Sequence, residues 1–255
     1  MSQSVAQPDP EARQRVLVLT GASRGIGHAT AQLFSSAGWR VITVSRQAFS
    51  PRCPWAAGPQ DHLQLDLGDI PSLAAGLDEM RSRLPHGKLD ALVNNAAISP
   101  KGPEGSRLGL LDTNAATWMH VFNVNLFSVA LLAKGLIGQL AAAQGSIVNV
   151  TSIAGGRVHP YAGAAYAASK AALATITREM AAEFAPQGVR VNAISPGEID
   201  TAILSPGTAA FADREVPMRR LGKPSEVASA IHFLCSDAAS YVNGAELHIN
   251  GGQHV

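Results

Sequence analysis

The chain has 255 residues, 46% of them apolar, 15% charged and only 5% aromatic, enough for one large domain with a substantial core. Its 20 basic and 19 acidic residues nearly cancel, which excludes a global attraction to nucleic acid or to an anionic membrane surface. Without an unbroken apolar run of about 18 residues, no bilayer span is expected.

Residues 1–14 are polar and contain proline, so they read as a loose arm and not as a secretory signal. From residue 15 onward, apolar β-branched runs alternate with helical patterns. Strands are expected at 16–20, 40–45, 63–66, 91–94, 146–151, 190–194 and 245–249, and helices at 26–37, 70–84, 115–143, 164–185 and 224–234. Gly38 sits where the first helix should stop, and Pro224 suits the first turn of the last one. This order describes a single α/β domain over 15–255: a doubly wound parallel sheet of about seven strands with helices on both faces. The stretch 47–60 carries three prolines and a glycine and reads as a surface loop. The stretch 197–222, with Pro206, Gly207 and Pro217, is longer than its neighbours require and is expected to be a movable functional cover. Cys53 and Cys235 lack metal-ligand spacing and read as ordinary thiols of a reducing cytoplasm, the expected compartment.

Directly after the first strand comes Thr20-Gly21-Ala22-Ser23-Arg24-Gly25-Ile26-Gly27. A glycine-rich βα turn lets backbone N–H groups approach a diphosphate with no Cβ in the way, and the helix N-terminus favours the negative charge. The spacing is Gly-x-x-x-Gly-x-Gly rather than the more familiar Gly-x-Gly-x-x-Gly. The second strand ends in Ser45-Arg46 with no carboxylate for a ribose 2′-hydroxyl, and Arg24 lies inside the turn. Two guanidiniums and a hydroxyl at one point suit a 2′-phosphate, so NADP(H) is expected over NAD(H), which stays possible. Asp66 reads either as an acceptor for the adenine amino group or as a helix N-cap.

Tyr166 and Lys170 stand four apart in an alanine-rich helical segment and share a face. A tyrosine working near neutral pH needs its phenolate favoured by roughly 3 pK units, about 4 kcal/mol, and a nearby ammonium acts in that direction. Ser152, fourteen residues before the tyrosine, sits at the C-terminal end of a strand, where open α/β sheets bind ligands.

These motifs, with Asn94-Asn95-Ala96-Ala97, Asn125, Thr151-Ser152, Ser195-Pro196-Gly197 and the C-terminal Asn243-Gly244 and Asn250-Gly251-Gly252, resemble the short-chain dehydrogenase/reductase family over nearly the whole chain. The resemblance implies a Rossmann-type fold and a reversible hydride transfer between NADP(H) and a secondary alcohol or ketone. It implies Tyr166 as general acid/base, Lys170 as its pKa depressor and ribose anchor, Ser152 as the residue that orients the carbonyl, and Asn125 as the holder of a relay water. For the cofactor it implies Gly21, Ser23, Arg24, Gly25, Ile26, Gly27, Ser45, Arg46, Asp66, Leu67, Asn94 (steadying the central strand), Ala96, Pro196, Gly197, Ile199 and Thr201, together with Tyr166 and Lys170. It also implies a homodimer or homotetramer paired through the helices at 115–143 and 164–185. A nucleotide-binding regulator or scaffold without turnover is the alternative, although such a binder has no chemical need for the four catalytic residues.

Three departures stand out. Ala97 replaces the usual glycine, the serine-to-tyrosine spacing is one residue longer than usual, and Glu198 puts a charge where an apolar or small residue is common. Glu198 is expected to face solvent, with contact to a polar substrate as the alternative. His159 is read as a solvated loop side chain, with contact to the substrate as the alternative. The pocket walls are expected from 99–106, 153–161 and 199–218; they mix apolar and polar groups and leave the small-molecule substrate unnamed.

Overall fold

The computed structural model describes residues 13–49, 58–202, 204–205 and 207–255. Seven parallel strands form one sheet: β1 (Val16–Thr20), β2 (Arg40–Ser45), β3 (His62–Gln64), β4 (Ala91–Asn94), β5 (Ser146–Val150), β6 (Arg190–Pro196) and β7 (Glu246–Ile249). Their order across the sheet is β3-β2-β1-β4-β5-β6-β7. The chain therefore winds outward from β1 in one direction and from β4 in the other, leaving a crevice at the C-terminal ends of that central pair.

Alternate residues of β1 feed two separate cores. Val16 and Val18 point into a cluster with Leu77, Met80, Leu132, Leu136 and Phe184. Leu17 and Leu19 point into another with Phe34, Trp39, Ile231 and Leu234. A parallel sheet buried on both faces needs apolar residues at every position, and the burial of all five β1 residues follows. The first cluster is roofed by α2 (Leu73–Ser82), α4 (Ser128–Ala143) and α5 (Ala164–Phe184), the second by α1 (Gly25–Ser36) and α7 (Pro224–Cys235). On the second face the rings of Phe34, Trp39 and His232 meet edge to face.

The expected strands and helices are present, with ends moved by a few residues. β3 stops at Gln64, so Asp66 lies beyond the strand, and β6 extends to Pro196. Two features differ from the sequence reading. The cover at 197–222 contains a further helix, α6 (Thr208–Glu215). The helix expected at 115–143 is α3 (Ala115–Phe122) and α4 joined by a π-helical turn over Asn123–Phe127. The stretch Ala115–Ala143 contains an 18-residue window of mean hydropathy 1.7 and is long and apolar enough to cross a membrane, contrary to the expectation from run length. Its Leu132, Leu136 and Leu140 are fully buried against the sheet, as in a core helix. Cys235 is a buried free thiol, while Cys53 and most of the arm at 1–14 lie outside the described residues.

Candidate active site

The glycine turn is built by close backbone approach. A Cβ on Gly27 would lie 2.2 Å from the carbonyl oxygen of Gly21 and 2.6 Å from Asn95 Nδ2. One on Gly25 would meet the Thr201 methyl at 3.0 Å. Asn95 Nδ2 donates to the carbonyls of Thr20 (3.1 Å) and Gly21 (2.9 Å), and Thr20 Oγ1 accepts from the N–H groups of Asn95 and Ala96, both at 3.0 Å. Thr20 and Asn95 thus clamp the turn to the end of β4, a role the sequence reading did not give them. Helix α1 opens from Arg24, in extended backbone, with no side-chain cap and no acid in its first turn, which leaves N–H groups for an anion. A cradle that a single Cβ would fill, at a helix end, fits a dinucleotide diphosphate.

From this turn a cleft of about 310 Å³ runs along the sheet edge. It is lined by Gly21, Ser23, Arg24, Gly25, Ile26, Ser45, Arg46, Asp66, Leu67, Ala96, Pro196, Gly197, Ile199 and Thr201, and at its far end by Ser152, Tyr166 and Lys170. Three expected site residues do not line it. Gly27 is buried in the turn. Asn94, 2% exposed, donates to Asn149 Oδ1 (2.9 Å), which ties β4 to β5. Asn125 is fully buried in the π turn; its Oδ1 accepts from Ile98 N (2.9 Å) and its Nδ2 donates to Ser169 Oγ (3.0 Å). Asp66 is not a helix N-cap: its Oδ1 accepts from Gly68 N at 2.8 Å in a local turn, while the residue still faces the cleft.

Arg24 and Arg46 are exposed at the cleft rim, and neither has an ion-pair partner among the described residues. Ser45 Oγ is engaged with Gln47, donating to its carbonyl at 3.2 Å and accepting from its N–H at 3.3 Å.

At the reacting end, Lys170 is 2% exposed and its Nζ donates to the carbonyl of Val150 at 2.7 Å. Burial pushes its ammonium down to about 7. Lys170 Nζ stands 5.8 Å from the centre of the Tyr166 ring. Burial raises the Tyr166 phenol above its ordinary value; a hydrogen bond with Ser152 opposes this and the charge of Glu198 adds to it. The direction is therefore set by desolvation and is opposite to the lowering expected from Lys170.

His159 and Glu198 are not solvated, contrary to expectation. Their side chains are 9% and 6% exposed, and His159 Nε2 lies 2.5 Å from Glu198 Oε1. The loop between Ser152 and Tyr166 delivers His159 and Tyr161, whose rings pack against Phe211 of α6.

Comparison with known proteins agrees with this geometry. A family model described as Enoyl-(Acyl carrier protein) reductase matches residues 21–254. The chain belongs to the short-chain dehydrogenase/reductase family. It is 61% identical over 242 residues to Protein FixR of Bradyrhizobium diazoefficiens, covering 94% of this chain and 87% of that one. It is 40% identical over 249 residues to the cis-4-hydroxycyclohexanecarboxylate dehydrogenase of Sinomonas cyclohexanicum, covering 94% and 96%. Among solved structures, a Brucella ovis oxidoreductase of the family, in complex with a partially ordered NAD, superimposes with a TM-score of 0.82 at 55% identity, covering 93% of this chain and 100% of the other. The protein is accordingly a short-chain oxidoreductase acting on CH–OH groups, with a Rossmann-type nucleotide fold.

Proposed function

We propose that the protein interconverts a secondary alcohol and a ketone with NADP(H), with Tyr166 as general acid/base. The observation that carries this reading is the convergence of Ser152, Tyr166 and Lys170 at one end of a cleft whose other end is a backbone cradle for a diphosphate. When bound, the dinucleotide supplies or accepts the hydride. The chain's own residues do the rest. Ser152 Oγ hydrogen-bonds the substrate oxygen, and the protonated Tyr166 donates to that oxygen during reduction. Lys170, neutralised readily at about 7, takes part in restoring the tyrosine proton. Asn125, fixed in the π turn by Ile98 and Ser169, is the residue assigned to hold the relay water.

Support for NADP(H) comes from Arg24 and Arg46 facing the cleft rim with no carboxylate at the end of β2. Steady-state oxidation of NADPH and NADH against ketones, aldehydes and sugars tests the proposal. Turnover with NADPH on a ketone is expected; nucleotide binding with no turnover on any carbonyl would favour the regulatory alternative. We further propose a cytoplasmic homodimer or homotetramer, supported by the exposed apolar side chains Leu111 (99%), Met119 (67%) and Phe127 (48%) on or beside the long helix, with the molar mass in solution as the check.

A further inference from the structure

A second cavity, about 90 Å³, opens from the same tyrosine on the side away from the glycine turn. Ser152 and Tyr166 form one wall; Lys101, His159, Tyr161 and Glu198 contribute to the others. Its polar groups are held in place before any substrate arrives. Tyr161 N donates to His159 Nδ1 at 3.2 Å, so in the neutral ring Nε2 carries the proton and donates it to Glu198 Oε1. Gln253 Nε2 approaches the same oxygen at 3.4 Å. The Glu198 backbone is fixed as well, its carbonyl accepting from Gly222 N at 2.8 Å. Lys101 Nζ is anchored to the carbonyl of Tyr161 at 2.7 Å.

A carboxylate 6% exposed is costly to bury unless its acceptor sites are served. Both side-chain donors to Glu198 fall on Oε1, and among the described residues none serves Oε2. The cavity that Glu198 lines is where the missing donor would have to come from. We infer that Glu198, positioned by His159, is a specificity-determining residue that accepts a hydrogen bond from a second donor group, hydroxyl or ammonium, carried by a small alcohol or ketone substrate. The apolar Ile153, Ala154 and Leu204 around the rest of the cavity suit a short carbon skeleton beside the reacting carbon. This inference rests on the oxidoreductase reading and narrows it to substrates with two polar functions. Lys101, close enough to feel the charge of Glu198, keeps the cavity from being purely anionic.

The test compares secondary butanol, vicinal butanediol and the corresponding amino alcohol as substrates of the full-length enzyme with NADP+. The diol or the amino alcohol should exceed the mono-alcohol in kcat/KM by about tenfold or more, the loss expected when a buried charged acceptor goes unpaired. In Glu198→Gln that ratio should collapse toward one, chiefly through KM. Which of the two bifunctional substrates is preferred separates a hydroxyl from an ammonium donor. If the wild-type enzyme uses the mono-alcohol as well as the diol, the inference is overturned while the oxidoreductase reading stands, and this outcome does not depend on the variant folding. Should no alcohol react, binding decides, read as a change in NADPH fluorescence on titrating the diol. Saturable binding that Glu198→Gln abolishes supports the donor site. Binding that the variant keeps, or no binding at all, overturns the inference, and the oxidoreductase reading is decided separately by the carbonyl panel.

Discussion

Gly27 offers a quantitative test of how the nucleotide turn is built. In Gly27→Ala the new methyl would start 2.2 Å from the Gly21 carbonyl oxygen and 2.6 Å from Asn95 Nδ2. An ordinary carbon–oxygen contact is about 3.3 Å or longer, so the turn must move by about 1 Å. Neither neighbour can yield alone, because Asn95 Nδ2 is itself bonded to the carbonyls of Thr20 and Gly21. Overpacking of this kind costs about 1–3 kcal/mol. If the cost falls on the conformation that meets the diphosphate, nucleotide Kd should rise about tenfold to a hundredfold. The melting temperature should fall by a few degrees, at roughly 2–4 °C per kcal/mol for a chain of this size. Gly38→Ala is the matched control. Gly38 has φ +82 and nothing within 4 Å of its added Cβ, so only backbone strain of about 1–2 kcal/mol is introduced. That variant should lose melting temperature and keep its Kd within about twofold. Nucleotide titration by calorimetry, with thermal melts alongside, reads both variants. A Gly27→Ala protein that bound nucleotide like the wild type would refute the cradle as the diphosphate site.

Three further outcomes are expected. Lys170 titrates near 7 when buried and near 10.5 when unfolded, so the unfolded chain holds the extra proton between those values and stability from this group rises with pH. Relative to Lys170→Met, the wild-type protein should gain about 2 kcal/mol of unfolding free energy between pH 7 and 9, measured by denaturant melts, and parallel curves would refute the assignment. Because burial and Glu198 both raise Tyr166, alcohol oxidation, which needs the phenolate, should climb into the alkaline range; Glu198→Gln should shift that limb to lower pH, and an unmoved limb would show that the charge is not felt. Arg46→Ala should weaken NADPH by about tenfold and leave NADH nearly unchanged, the loss of one charge-assisted bond to a phosphate, and equal effects on the two nucleotides would remove Arg46 from the 2′-phosphate site.

The sheet was legible because a parallel sheet covered on both faces writes unbroken apolar runs, and β1, β4 and β5 carry such runs. The glycine turn and the Tyr166–Lys170 pair were legible because each is local in sequence. What escaped was local structure without a local signal, and pairing across distance. Asn123–Phe127 fits an ordinary helical pattern, and nothing in its composition marks the π turn that seats Asn125. Helix α6 is short and polar and lies between Gly207 and Pro217, which read as loop punctuation. His159 and Glu198 stand 39 residues apart, and each alone reads as a surface charge; only the fold shows that they are buried against each other. Thr20 and Asn95 had a weaker signal, a hydroxyl and an amide at the ends of adjacent strands, which becomes a clamp only once β1 and β4 are known to be neighbours.

Proton transfer in this site rests on Tyr166. The decisive measurement is turnover and nucleotide affinity determined together in Tyr166→Phe, with the wild-type enzyme's best alcohol as substrate. Removing the phenolic oxygen should leave the NADPH Kd within a few-fold and reduce kcat by about a hundredfold to ten-thousandfold, the usual worth of a positioned acid/base. Turnover retained at the wild-type level would contradict the mechanism and place the proton donor elsewhere in the cleft.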